Sequence, residues 1–393
     1  MANKIWLGNA LATYQSVQFN PDDNDGILYS LTVYDDEGHS QTIVTTETGS
    51  AKVIVEGLKA HADILKALNV APWKNLTVEE DDVRLTLTSE IAGKPFYYDA
   101  SACQGDTLVA TELVANAGPY DWNTVANWSS GSLPGEATND TVFVENATIL
   151  YGLDQAARTY SVLALQVSRS QIGQRSVDNL PASYLKIKVS KVDINYNFDA
   201  NGSAFPTPVN IDTSNSASNI TVYNGPLTQA GPAVNLKTNS STASIQVLFG
   251  TVGIANGAGD TTVVGTISVL GGSCYIGESI TLTTLLVRNG DVIVRCGMTT
   301  CTLENGILKT DASGAITTLN VNGGIATLNS AGAITNLNVI NGIADMLKSA
   351  IARTVTTAKV GRGGVLKYDP ATTTITNKVQ LVSSSGELSV TAL

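Results

Sequence analysis

Between residues 280 and 345 the side chains that could carry charge chemistry are Arg288, Asp291, Arg295, Glu304, Lys309, Asp311 and Asp345. Glycan-cleaving enzymes need two carboxylates, or a carboxylate beside a base, on one outer face. Here the charges are scattered. Only Arg288 and Lys309 stand close enough in the pattern to fall near Glu304, and a surface ion pair accounts for such a trio at little energetic gain. Both histidines, His39 and His61, lie in the first hundred residues, and the chain has no Gly-Xaa-Ser-Xaa-Gly elbow and no phosphate-binding loop. Cys103, Cys274, Cys296 and Cys301 do not have the spacing of a zinc quartet. Buried packing thiols are expected, with a Cys296–Cys301 disulfide as the other option. The acidic runs Asp22-Asp23-Asn24-Asp25 and Glu79-Glu80-Asp81-Asp82 invite calcium, but the first continues into the apolar Ile27-Leu28-Tyr29 where a calcium loop needs further oxygen ligands. The expectation is therefore no catalytic residue, no metal and no cofactor.

The elements that must position these groups are set by a repeat. Gly225, Gly250, Gly272, Gly290, Gly306, Gly324, Gly342 and Gly363 form a column, and Gly386 extends it, at spacings of 25, 22, 18, 16, 18, 18, 21 and 23 residues. Five residues before each glycine stand Ile220, Ile245, Ile267, Leu285, Cys301, Leu319, Leu337 and Ala358; three before stand Val222, Val247, Val269, Val287, Leu303, Val321, Val339 and Val360. Two after come Leu227, Val252, Cys274, Val292, Leu308, Ala326, Ala344 and Val365, and eight before come Val264, Leu282, Met298, Ile316, Ile334 and Val355. Apolar residues two apart share one face of a strand, so each repeat reads as short strands joined at the glycine, turning about three corners. The period is that of a solenoid. The fold class is mainly β: a small α+β N-terminal domain followed by a parallel β-helix, each coil hydrogen-bonding to the coils above and below. The strict six-residue spacing of a left-handed hexapeptide helix is missing, which favours the right-handed form. At roughly 4.8 Å per coil, nine coils make a rod on the order of 40 Å long.

Composition narrows the function. The chain has 393 residues, 43 % of them hydrophobic, enough for two or three cored domains. Its net charge of −11 leaves no basic footprint, so nucleic acid is not an expected partner. No run of about 18 apolar residues appears, so no membrane span is expected, and Met-Ala-Asn-Lys-Ile-Trp carries no export signal.

Residues 1–116 read as an attachment module with strands near 4–8, 14–19, 28–34, 41–46, 76–79, 83–88, 95–98 and 108–114. Between the fourth and fifth lies one helix over 50–68, with Ile54, Leu58, His61, Leu65 and Leu68 on its inward stripe and Ser50 as its cap. The run 117–145 is a Trp-containing linker or cap, rich in Gly, Pro, Asn and Ser, in which Trp122 and Trp128 cover the open end of the first coil or form a glycan platform. Residues 146–393 are the β-helix, with polar loops over 168–183 and 197–218 as candidates for partner contact. Outward Thr317, Thr318, Asn320, Asn336 and Asn338 are placed to stack into ladders. The chain stops on Gly386-Glu-Leu-Ser-Val-Thr-Ala-Leu393, an uncapped last coil expected to meet another subunit.

The stretch from Leu28 to Tyr34, the following Ala- and Leu-rich helix, then Leu85-Thr-Leu-Thr88, Ala92-Gly93 and Pro95-Phe96 resemble a small β-β-α-β-β module of phage tail and other virion proteins. The run Asp121-Trp-Asn-Thr-Val-Ala-Asn-Trp128 with the Ser-, Gly- and Pro-rich residues after it is similar to the segment that opens β-helical surface and phage proteins. This resemblance implies a non-enzymatic virion protein: the module anchors to capsid or tail proteins, and the β-helix projects as a head fibre, decoration or tail spike. Copies are expected to form homo-oligomers, with a trimer as one arrangement, and a host-surface glycan is a candidate ligand. Two other functions fit a β-helix, a bacterial surface adhesin and a polysaccharide-degrading enzyme. The fold alone does not choose among them.

Overall fold

The computed structural model describes residues 2–22, 28–36, 38–47, 49–103, 107–135, 140–145, 147–166, 170–173, 183–195, 208–213, 216–224, 232–257, 259–380 and 391–392. At 57 % strand and 7 % helix, the protein is mainly β, with a parallel β-solenoid of about ten turns after a small α+β region. It forms two compact units: Leu7–Leu133 with Thr148–Gly152, and Met1–Trp6, Pro134–Ala147 and Leu153–Leu393. The first strand, β1 (Asn3–Ile5), belongs to the second unit.

The first unit holds β2 (Ser16–Pro21), β3 (Tyr29–Tyr34), β4 (Ser40–Thr45), α1 (Ala51–Ala67), β5 (Leu76–Asp81), β6 (Arg84–Ser89), β7 (Tyr97–Ala102) and β8 (Leu108–Val114). They form an antiparallel sheet in the order β5-β6-β2-β8 and a second in the order β4-β3-β7. One core joins them, with Phe19, Tyr29, Leu31, Ile54, Leu58, Trp73, Leu85 and Leu87 buried. The alternation in Leu85-Thr-Leu-Thr88 is what buries its two leucines and turns its threonines outward. The helix is where the periodicity puts it, but its buried stripe is Ala51, Ile54, Val55, Leu58 and Ala62. His61 is exposed and Leu68 is 69 % exposed, because α1 ends at Ala67 and alanines face the core. Ser50 holds the N-cap position without a side-chain hydrogen bond.

The predicted linker is an ordered part of this unit up to Leu133. Asn127 is fully buried and uses both ends of its amide: its Oδ1 accepts from Ala10 N (2.9 Å), and its Nδ2 donates to Gly118 O (2.8 Å) and Asp121 O (2.9 Å). A buried amide making three hydrogen bonds fixes the path of three loop segments at once.

In the second unit the inward columns predicted from the sequence lie in register from coil to coil. The column five before the glycine continues toward the N-terminus beyond the repeat recognised there: Val142, Leu163, Val192, Ile220, Ile245, Ile267, Leu285, Cys301, Leu319, Leu337 and Ala358 are successive partners. Residues eight before the glycine are buried as well, at 5 % exposure or less. The step of three between positions −8 and −5 breaks the two-residue alternation, and this is the first corner. The glycine makes the second, and a turn after position +4 the third. Position +4, occupied by Ile254, Ile276, Val294, Thr310, Leu328 and Met346, is a further inward column that the sequence pattern did not single out. At roughly 4.8 Å per turn, about ten turns make a stack near 45 Å long.

Six of the corner glycines, Gly250, Gly272, Gly290, Gly306, Gly324 and Gly342, have φ between +69° and +102°. Gly363 is not the residue in register. Gly342 pairs with Gly364 and Ala344 with Leu366, because a register shift after Val339 admits one extra residue into the Gly361-Arg362-Gly363-Gly364 corner. Leu366, 2 % exposed, therefore takes the inward place that spacing gave to Val365. Gly225 and Gly386 lie outside the described residues, as does the Asp23-Asn24-Asp25-Gly26 turn.

β1 lies on the first coil. Asn3, Lys4 and Ile5 pair in parallel with Thr141, Val142 and Phe143, and Thr141 N donates to Ala2 O (3.0 Å) while Trp6 N donates to Phe143 O (3.0 Å). An exposed strand edge is a template for addition of another chain, and here residues 3–5 of the chain itself take that place. Removal of residues 1–6 is therefore expected to leave a folded but self-associating protein, checked by light scattering against the full chain; unchanged scattering would count against the edge role. At the other end Lys378 stands in register with Ala358, and its Nζ lies 5.1 Å from the Tyr368 ring centre. A lysine thus sits in the −5 register at each end of the described stack, Lys4 beside Val142 and Lys378 beside Ala358. Most of the last predicted coil lies outside the described residues; Thr391 and Ala392 pair with Lys367 and Tyr368.

Candidate functional site

Among the described residues of the late coils the charged groups do not converge on one site. Arg288 and Glu304 pair across adjacent coils at 3.3 Å with more than 45 % of each side chain exposed, whereas Lys309 turns to Asp311 at 3.3 Å and leaves Glu304. Asp345 accepts from Leu347 N at 3.0 Å, bracing its own turn. Exposed pairs of this kind contribute at most about 1 kcal/mol each. In the first unit, His39 Nδ1 lies 2.9 Å from Asp35 Oδ2, and Asp35 Oδ1 accepts from His39 N at 2.8 Å, so this buried carboxylate closes the turn between β3 and β4. The Glu79-to-Asp82 run is an exposed hairpin whose Asp82 bonds Lys52 at 2.8 Å. Among the described residues no three His, Cys, Asp or Glu side chains are grouped to hold a metal ion. No described helix is long and apolar enough to cross a membrane.

All four cysteines are free thiols; Cys274, Cys296 and Cys301 are buried and Cys103 is exposed. Burial pushes the Cys274 and Cys301 thiols up to about 12 and that of Cys296 to about 11. Since the thiolate is the nucleophile, these three are inert while the coils are closed. At pH 8, iodoacetamide is expected to modify one cysteine of the native protein quickly and four after denaturation, read by intact mass. The same shifts set a pH dependence. An unfolded thiol loses its proton near 9 and the folded one keeps it to about 11 or 12, so above pH 9 the unfolded state binds fewer protons and stability falls as pH rises to 12.

Trp122 and Trp128 pack edge to face within the first unit, with ring centres 4.8 Å apart and planes at 67°, and Trp128 Nε1 donates to Trp122 O at 2.9 Å. At 0 % and 2 % exposure neither ring offers a face to a sugar, so the glycan-platform expectation does not hold.

One cluster escaped the sequence. Tyr184 Oη donates to Asp260 Oδ2 (2.7 Å), Lys237 Nζ bonds Asp260 Oδ1 (3.0 Å), and the same ammonium lies 4.7 Å from the Tyr184 ring centre. Burial first, then the Asp260 carboxylate, drive the phenol well above its ordinary value of 10, so it is no base at neutral pH. The group ties three segments of the solenoid together. Its members lie 23 and 76 residues apart in the chain, in coils of irregular length.

Of the residues placed for an outward ladder, Asn320 and Asn338 form one. Asn338 Nδ2 donates to Asn320 Oδ1 at 2.8 Å, and Asn320 Nδ2 to Thr302 Oγ1 at 3.3 Å. Thr317 and Thr318 belong to a longer feature. Directly after each residue of the −8 column and its continuation stand Thr283, Thr299, Thr317, Thr335, Thr356 and Thr376, all exposed, on six successive coils.

No family model, no curated protein and no solved structure matches this chain.

Proposed function

We propose that the protein is a non-enzymatic structural component of a phage particle, in which the first unit anchors to capsid or tail proteins and the solenoid serves as a fibre, decoration or spike. The observation that carries the reading is the unbroken apolar column from Val142 to Ala358, which makes the second unit a stack of register-locked coils. Around that column Arg288–Glu304 and Lys309–Asp311 form exposed pairs. Such a stack suits a stiff spacer, since each coil is held only by its neighbours and length is added without redesign. The Leu85-Thr-Leu-Thr88, Ala92-Gly93 and Pro95-Phe96 resemblance supplies the virion setting. Density-gradient particles from the induced host, analysed by mass spectrometry and gold-labelled with antibody to this chain, test it. Stoichiometric presence with surface label is the expected result, and absence from the particle fraction would sink the proposal.

A further inference from the structure

We propose that Lys237 and Asp260 are joined by an amide bond that the folded chain forms on itself, a covalent clamp across its early coils. Lys237 ends the strand Val234–Lys237, and Asp260 stands 23 residues further on, between the strands Thr251–Ile254 and Thr262–Val269. Lys237 Nζ lies 3.0 Å from Asp260 Oδ1, and the two side chains are 21 % and 10 % exposed. The other carboxylate oxygen is held twice: Tyr184 Oη donates to Oδ2 at 2.7 Å, and Gly257 N donates to it at 3.1 Å.

These groups supply each part of an amide-forming site. The lysine nitrogen is the nucleophile, and Asp260 Cγ is the carbon it attacks. Tyr184 and Gly257 are the two donors of an oxyanion hole, aimed at the oxygen on which negative charge collects once the carbon is tetrahedral. Burial, then the Asp260 carboxylate, keeps the phenol protonated at neutral pH, so it stays a donor throughout. The Tyr184 ring, its centre 4.7 Å from Nζ, fixes the lysine head beside the carboxylate.

The step balances without any other reagent. One ammonium proton passes along the 3.0 Å contact to Oδ1, which turns the ion pair into an amine and a carboxylic acid. Nζ then bonds to Cγ, a second proton follows from nitrogen to Oδ1, and the Cγ–Oδ1 bond breaks to release water. The third proton stays on the amide nitrogen, and Oδ2 becomes the carbonyl oxygen. Two effects favour the amide. Neighbours held in place react with an effective molarity of about 10⁵ M or more. Condensation also removes two charges that are costly to keep out of water. The bond closes a ring over the chain from Lys237 to Asp260, so these coils of irregular length cannot part.

Mass spectrometry of the full chain tests this. The expected intact mass is that of the sequence less one water. Trypsin should leave residues 192–288 as one peptide, uncut after Lys237 and lighter by one water, since Lys237 is the one lysine or arginine between Lys191 and Arg288. Lys237→Arg keeps an ion pair and should restore the full mass. Tyr184→Phe removes one oxyanion donor and should slow condensation roughly a hundredfold, read as the condensed fraction at successive times after cell-free synthesis. A parent of full mass that trypsin cuts after Lys237 would overturn the inference. So would loss of water with that cut intact, the mark of a cyclised aspartate, or equal condensation in parent and Tyr184→Phe. All of these are read on the purified chain, so the clamp and the particle assignment fail separately.

Discussion

Replacing Gly306 by alanine should lower the stability of the solenoid by about 3–5 kcal/mol, more than an exposed methyl group has any right to cost. The backbone there has φ +89°, a left-handed conformation that penalises any side chain. A Cβ at this place would also run into the carbonyl oxygen of Gly290, the corner glycine of the preceding coil, and that oxygen accepts the ladder bond from Ile307 N (2.9 Å). The methyl group can therefore be admitted only by moving the backbone of two coils. Because each coil is held by its neighbours, damage should spread to the coils on either side and stop there. Hydrogen exchange is expected to rise first in Asp291–Val294, Met298–Leu303 and Ile307–Thr310, with a thermal midpoint about 10 °C lower. Gly259→Ala is the control: φ is +76°, but nothing lies within 4 Å of the added carbon, so only strain of about 1 kcal/mol should appear. Equal losses for the two variants would show that the glycine column is not held by coil-to-coil contact.

Trp128→Ala is expected to cost about 3–5 kcal/mol in the first unit. Its indole is 2 % exposed, packs on Trp122 and spends its one donor on Trp122 O. Removing it leaves a cavity, takes one hydrogen bond from Trp122 O and removes the ring against which the Trp122 indole packs. Asn127 stands next to it and holds three loop segments, so the loss should loosen the whole run from Gly118 to Leu133. Tryptophan fluorescence and hydrogen exchange should report this in the first unit while Met298–Val321 stays protected. A variant whose stability and spectrum match the parent would show that this segment does not hold the unit together.

The late coils were the legible part. There the spacing is nearly constant, and a residue two positions from another must share its face, so Leu285, Cys301, Leu319 and Leu337 announced their column directly. The early coils carry long polar insertions, and no fixed spacing links Val142, Leu163 and Val192. Their place was visible only once backbone pairing had set the register. The same limit explains Gly363: one extra residue in a corner leaves the composition of the column intact and shifts its phase. In α1, the 3.6-residue period fixed the helix but not its rotation, because Ala51 and Ala62 carry too little apolar weight to outvote His61 and Leu68.

The chain's amino-acid order determined the class of object: glycine recurring every 16 to 25 residues with apolar residues two apart permits stacked parallel strands and little else. It also dispersed the charged groups, since Asp291, Arg295, Glu304 and Lys309 stand one after, five after, two before and three after their corner glycines and so fall in different columns. Tertiary contact alone decided which distant groups meet: Asn3–Ile5 on the first coil, and Tyr184 with Lys237 and Asp260. Local sequence sets the direction of a side chain relative to its own strand. Which neighbour it finds depends on how many residues the intervening loops contain, and only the closed, hydrogen-bonded coil fixes that number to a place.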